Sequence, residues 1–154
     1  MKQITGTISI NLEGARLGEP RPPHTYFGVA QGMVNGLRLL STDAGMCAMP
    51  FSMVGAHMLE CLLKAFLSRS GDDKRLRDKK LRHNLVGLWS LARSEGLNIP
   101  EQHPSWVSEL NRLHDSPYQL RYSEGVHGIV LPAPEPMTTH LLELLELVRK
   151  SITQ

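Results

Sequence analysis

Apolar residues recur at helical spacing along most of the chain after residue 23. Steps of three and four positions place such residues on one face of a helix, which then buries that face in a core. The pattern predicts four to five helices, over about 25–40, 50–67, 79–94, 105–114 and 137–152. Short connections between them favour an up-and-down bundle, so the predicted fold class is all-α.

The first 23 residues follow a different pattern, which predicts an extended or β arm. The β-branched residues between Ile4 and Leu12 favour a strand. Three prolines and two glycines in 14–23 exclude a helix there and indicate a turn-rich connector. A strand needs an edge to pair with, and 128–131 is the candidate within the chain. We therefore divide the chain into an arm with its connector, 1–23, and a helical domain, 24–154.

Two of the predicted helices carry patterns that bear on assembly. Gly28, Gly32 and Gly36 lie four apart in the first helix, where each costs roughly 1 kcal/mol relative to alanine. Together they form a narrow groove that lets another helix approach closely. The last helix has apolar residues in more than one stripe, namely Leu141, Leu142, Leu144, Leu145, Leu147 and Val148. That excess predicts either a central place in the bundle or a helix shared with a second subunit.

A charged pair lies inside the most apolar of these helices. Glu60 and Lys64 stand one turn apart in 56–67, AHMLECLLKAFL. On an exposed face such a pair contributes a few tenths of a kcal/mol. If it faces the core, its charges need further partners, for which Arg82, His83 and Arg121 are the candidates. The pair is then either a polar latch that fixes the helix register or part of a ligand site.

These residues carry a resemblance to a known family. AHMLECLLKAFL at 56–67, LRHNLVGLWSLA at 81–92 and the pair Arg121-Tyr122 resemble the HEPN domains (higher eukaryotes and prokaryotes nucleotide-binding). The resemblance covers about 25–150 and leaves out the arm. It implies a small helical bundle, often a homodimer, in which Glu60, Lys64, His83 and Tyr122 are the expected polar or binding residues. Family members include ribonucleases, toxin components and non-catalytic partners of nucleotidyltransferases.

The resemblance implies two alternative functions. One is a non-catalytic or regulatory module that binds a partner protein, a nucleotide or RNA, within a toxin–antitoxin or defence system. The other is a metal-independent endoribonuclease that uses an Arg and a His four to six residues apart at a dimer cleft. Arg121 and His127 have five residues between them. A histidine can move the 2′-hydroxyl proton while a guanidinium holds the phosphate. The alternative interpretation is that Arg121 and Tyr122 anchor a loop.

A basic run between the second and third predicted helices is the candidate RNA-binding segment. Residues 69–82 contain seven Lys or Arg and three Asp. Such a cluster can neutralise phosphates, although a solvated loop between helices has the same composition. The candidate RNA-binding residues are Arg75, Arg77, Lys79, Lys80 and Arg82. Arg77 and His83 also have five residues between them and form a second Arg/His pair.

Composition sets the remaining expectations. A chain of 154 residues is expected to be one domain, and a net charge of +2 does not by itself indicate nucleic-acid binding. Cys47 and Cys61 have no CxxC spacing, which favours buried thiols in a reducing compartment. His57, Glu60 and Cys61 share one helical face, but no second ligand cluster accompanies them, so neither a metal nor another cofactor is expected. No secretory signal or membrane-spanning run is recognised, so we expect a cytoplasmic protein without membrane contact.

Overall fold

The computed structural model describes residues 21–115, 118–120 and 130–153, and this part of the chain is helical. The helices are α1 (His24–Ser41), α2 (Ala44–Leu67), α3 (Leu85–Ser94), α4 (Ser105–His114) and α5 (Pro134–Ile152), with a short 3₁₀ helix at Lys74–Arg77. No strand occurs in these ranges, and the all-α prediction is confirmed. The predicted strand lies within 1–20, outside the described residues, as do residues 128 and 129 of its candidate partner segment 128–131.

The helix α2 forms the centre of the bundle, because it packs against each of the other four helices. Its residues Met58, Leu59, Leu62 and Leu63 have no solvent exposure. Burying a side chain of this size stabilises the fold by roughly 1.5–3 kcal/mol. The apolar excess on the last helix predicted a central place for α5 or a shared one. The central place is not found, because α5 packs mainly against α1 and α2, at the side of the bundle. A helix shared with a second subunit stays a prediction.

The helix α2 begins earlier than its predicted start near Pro50. The Asp43 side chain accepts a hydrogen bond from the Met46 amide and caps the helix. The backbone at Cys47 then leaves helical values, with φ −108° and ψ 17°. Pro50 follows three residues later and has no N–H to donate, so the kink falls where a proline disturbs the turn before it. A one-turn segment therefore precedes the predicted helix.

By length and composition alone, α2 could cross a membrane. The expectation that no run is long enough for this does not hold for α2. Its position between the other four helices accounts for the apolar composition, because a core helix contacts neighbours on every side. The composition of α2 is therefore weak evidence for a membrane span.

The helix α3 begins at Leu85, six residues later than predicted. Residues 79–83 form turns, and the Asp78 side chain accepts a hydrogen bond from the Lys80 amide at 2.8 Å. Asn84 is the N-cap, since its side chain accepts from the Gly87 amide at 2.7 Å. The prediction that this helix includes residues 79–84 is therefore wrong. As a consequence His83 lies in the turn before α3, where it can reach sideways to α2.

The three glycines spaced four apart in α1 were predicted to let another helix approach closely, but the tight contact between helices in the described chain is at Gly55 of α2. An ideal Cβ placed on Gly28, Gly32 or Gly36 meets no atom of the described residues within 4 Å. These glycines of α1 therefore make no close helix contact within the described chain. A Cβ on Gly55 of α2 would come within 2.6 Å of the Met137 Cε atom on α5. The missing side chain of Gly55 thus leaves room for the Met137 side chain of α5.

Candidate functional site

Four side chains from α2, the turn before α3 and the end of α4 meet inside the bundle, and we call them the polar centre: Glu60, Lys64, His83 and His114. The Lys64 Nζ atom donates to Glu60 Oε1 at 2.6 Å. Glu60 Oε2 lies 3.0 Å from His83 Nδ1 and 2.6 Å from His114 Nε2. One carboxylate thus ties three separate segments of the chain together.

Glu60 is ionised in this setting although it is 5% exposed. Burial alone would raise its pKa. The hydrogen bond from His114, the charge and hydrogen bond of Lys64, and the hydrogen bond from His83 outweigh that effect and hold the pKa well below its usual value. Because a carboxylate only accepts hydrogen bonds, both imidazoles donate to it. The hydrogens of this contact therefore sit on His83 Nδ1 and His114 Nε2.

An apolar cavity of about 290 Å³ adjoins the polar centre. Its described lining comprises Met33, Met53, Val54, His57, His114 and Leu120. On the other side of the centre the Tyr118 ring packs edge-on against His83, with 5.6 Å between ring centroids. The imidazole of His114 is thus the group that separates the Glu60 carboxylate from the cavity.

Tyr26 of α1 connects the polar centre to the segment that follows α2. Its ring centroid lies 5.9 Å from Lys64 Nζ, and its hydroxyl donates to Asp73 Oδ2 at 3.0 Å. Burial and the neighbouring Asp73 carboxylate raise the pKa of Tyr26 to about 12. Burial opposes ionisation of Asp73, but the hydrogen bonds from Tyr26 and Arg77 hold the pKa of Asp73 below its usual value. Tyr26 therefore remains a neutral donor at physiological pH.

Six of the seven positive residues of 69–82 are exposed, and we call this segment the basic edge. Arg69 and Arg75 both contact the Glu95 carboxylate at the end of α3, the Arg75 Nη2 atom at 2.9 Å. Arg77 donates to Asp73 at 2.9 Å. The three lysines of this edge, Lys74, Lys79 and Lys80, are exposed. Arg69, Arg75 and Arg77 are thus held in place by carboxylates, while the lysines extend into solvent.

The structure brings together three of the residues singled out in the sequence and separates others. Glu60, Lys64 and His83 are in contact, and His83 is the partner that Glu60 was expected to need. Arg82 donates instead to the Tyr118 hydroxyl at 3.5 Å. Arg77 and His83 bond to different partners, Asp73 and Glu60. Arg121, Tyr122 and His127 lie outside the described residues.

Sequence reasoning missed His114, which makes the shortest histidine contact with Glu60. Its only signal was a histidine at the C-terminal end of a predicted helix, and its partner is 54 positions away in the chain. The face shared by His57, Glu60 and Cys61 is a poor metal site in this structure. Burial and the nearby Glu60 charge raise the pKa of the Cys61 thiol to about 12, which disfavours the thiolate that binds metals.

Comparison of the chain with protein-family models, with curated proteins and with solved structures finds no significant match.

Proposed function

We propose that the protein is a HEPN-like helical module without catalytic activity of its own, which binds single-stranded RNA along the basic edge. The positions of the residues that carry the HEPN resemblance support the proposed fold. His83, before α3, is 23 positions from Glu60 in the chain, yet it bonds to the same carboxylate that Lys64 contacts on the central helix. Residues that define such a resemblance are expected to meet if they serve one common fold.

The contacts within the polar centre support a structural role for it. Both oxygens of Glu60 accept hydrogen bonds from the protein itself, and the side chains of Glu60 and Lys64 are 6% and 8% exposed. A catalytic base must reach the proton that it removes, within about 3 Å in the substrate complex. Glu60 instead directs both oxygens at neighbouring side chains. The polar centre therefore holds α2, α3 and α4 in register.

The concentration of positive charge on the basic edge is the observation that carries the RNA-binding proposal. Residues 69–82 contain seven Lys or Arg and three Asp, which leaves four positive charges, whereas the whole chain has a net charge of +2. The rest of the chain is thus slightly negative. Asp73 and Glu95 fix three of the four arginine side chains, beside the three exposed lysines. An edge with this charge can neutralise the phosphates of an RNA strand.

Binding of a labelled single-stranded RNA, followed by fluorescence anisotropy at several salt concentrations, tests the proposal. We expect Lys79→Ala/Lys80→Ala to weaken binding and to reduce the slope of log K against log salt by roughly 1.4, because each lost phosphate contact contributes about 0.7. The control is Arg93→Ala/Lys150→Ala, which removes two exposed positive charges on α3 and α5. It should leave the slope close to that of the unmodified protein.

Three results would contradict the proposal in different ways. No RNA binding at low salt would remove the RNA partner and favour a protein partner such as an antitoxin or a nucleotidyltransferase. Equal losses in both double variants would show general charge attraction rather than a site. Cleavage of the RNA in EDTA that is lost in His127→Ala would establish the endoribonuclease alternative.

A further inference from the structure

Three different elements bring metal-binding groups to one point in the polar centre. The nearest ligand atoms of Glu60, His83 and His114 are one carboxylate oxygen and two imidazole nitrogens, and all lie within 4.8 Å of one another. These are the ligand types that zinc sites use. We propose that the three residues bind a divalent transition-metal ion of the zinc class. This role is independent of RNA binding at the basic edge.

The required rearrangement is small. Ligand atoms around a tetrahedral ion with bonds of about 2.0 Å are about 3.3 Å apart. Glu60 Oε2 now lies 3.0 and 2.6 Å from the two nitrogens, at hydrogen-bond distance. The two imidazole nitrogens, which lie within 4.8 Å of each other, must therefore approach by up to about 1.5 Å. The carboxylate must withdraw by less than about 1 Å. Its terminal torsion has broad energy minima, so a rotation supplies much of this movement.

Binding also requires the two imidazoles to exchange a hydrogen for a lone pair. His83 Nδ1 and His114 Nε2 donate to Glu60 in the metal-free arrangement. In the bound arrangement these nitrogens carry lone pairs, and each neutral ring keeps its hydrogen on the opposite nitrogen. A histidine can adopt either tautomer, so no oxidation and no additional reactant are involved.

Lys64 determines which class of ion fits. Its ammonium group donates to Glu60 Oε1 and neutralises the carboxylate, so the protein ligands bring little net negative charge to the ion. Mg²⁺ and Ca²⁺ need several oxygen ligands, which the site lacks. Zn²⁺, Co²⁺ and Ni²⁺ bind well to imidazole. The contact of Lys64 with Oε1 also leaves Oε2 for the ion, as an outer hydrogen bond does in many metal sites.

Titration of the full-length, tag-free protein with Co²⁺ tests the proposal. We expect one equivalent to produce the visible absorption of a low-coordinate Co²⁺ ion, and Zn²⁺ to displace it while Mg²⁺ does not. His83→Gln should weaken binding by more than the roughly 10–100-fold that outer-shell substitutions cost. His83 is chosen because its side chain is 20% exposed and thus more tolerant of change than His114. The control is His24→Gln, which removes an exposed imidazole at the start of α1.

A second measurement needs no variant and so does not depend on folding of a mutant. In a long-range ¹H–¹⁵N spectrum of the wild-type protein, Zn²⁺ should shift the nitrogen resonances of two of the seven histidines. No saturable cobalt spectrum, or one unchanged in His83→Gln, would overturn the proposal, as would equal losses in His24→Gln. RNA binding at the basic edge is measured separately, so either proposal can fail alone.

Discussion

The polar centre and the basic edge are both built from charged side chains at similar distances, but they lie in opposite environments. Lys64 and Glu60 are 2.6 Å apart, and their side chains are less than a tenth exposed. Arg77 and Asp73 are 2.9 Å apart, and the Arg77 side chain is 74% exposed. Water can replace a lost partner at the edge but not at the centre. Burial therefore decides what each pair contributes, more than distance does.

Removing the carboxylate of the polar centre should have the largest effect on stability. We expect Glu60→Ala to lower the free energy of unfolding by about 3–5 kcal/mol, because it leaves the Lys64 charge buried without its partner. Urea denaturation followed by circular dichroism measures this. Glu146→Ala is the matched control on α5, where Glu146 pairs with Arg149 at the surface, and it should cost less than about 1 kcal/mol. Equal losses in the two variants would remove the contrast between buried and exposed pairs.

Acid should destabilise the protein through the same carboxylate. The pKa of Glu60 is lowered in the folded protein, so its contribution is complete above its ordinary pKa of 4.5 and is lost as pH falls below it. Asp73 and Glu95 also have lowered pKa values and add to this loss. Unfolding free energies between pH 6 and pH 3 should fall less steeply in Glu60→Gln than in the wild type. Parallel curves would show that Glu60 does not differ from an exposed carboxylate.

The hydrogen bond between Tyr26 and Asp73, which links the polar centre to the basic edge, should have an intermediate effect on the free energy of unfolding. Tyr26→Phe keeps the ring beside Lys64 but removes the hydrogen bond to Asp73. We expect a loss of about 0.5–1.5 kcal/mol in the free energy of unfolding. A double-mutant cycle with Asp73→Asn measures how much of this loss belongs to the pair. Additive losses in the double variant would mean that the Tyr26 hydroxyl acts independently of Asp73.

Loss of the ion pairs of the basic edge should have the smallest effect on the free energy of unfolding. Glu95→Ala removes the partner of Arg69 and Arg75, and we expect a cost of about 1 kcal/mol or less, because both arginines remain hydrated. This cost should shrink further in 1 M salt, where the Debye length is about 3 Å. A larger cost that persists in salt would place Glu95 among the structural residues, with Glu60.

Patterns of local spacing predicted the helices well, whereas contacts between distant segments were only partly predicted. Helix α4 has the predicted bounds because its apolar face is regular. Helix α3 was predicted too long, since the basic residues before it are good helix formers and the cap at Asn84 overrides them. Glu60 and Lys64 were found because they lie one turn apart. His114 was not, because nothing local marks a histidine whose partner lies on another helix.

The open glycines of α1 have a consequence for the dynamics of the polar centre. A glycine in a helix weakens it, and a Cβ added at 28, 32 or 36 would meet no described atom within 4 Å, so close packing does not require glycine there. Helix α1 should then open locally more often than α2, and amide hydrogen exchange would show it as weaker protection. Because Tyr26 of α1 lies beside Lys64, each opening gives solvent and small solutes brief access to the buried charges. The rate at which α1 opens would then limit the rate at which water and small solutes reach the polar centre.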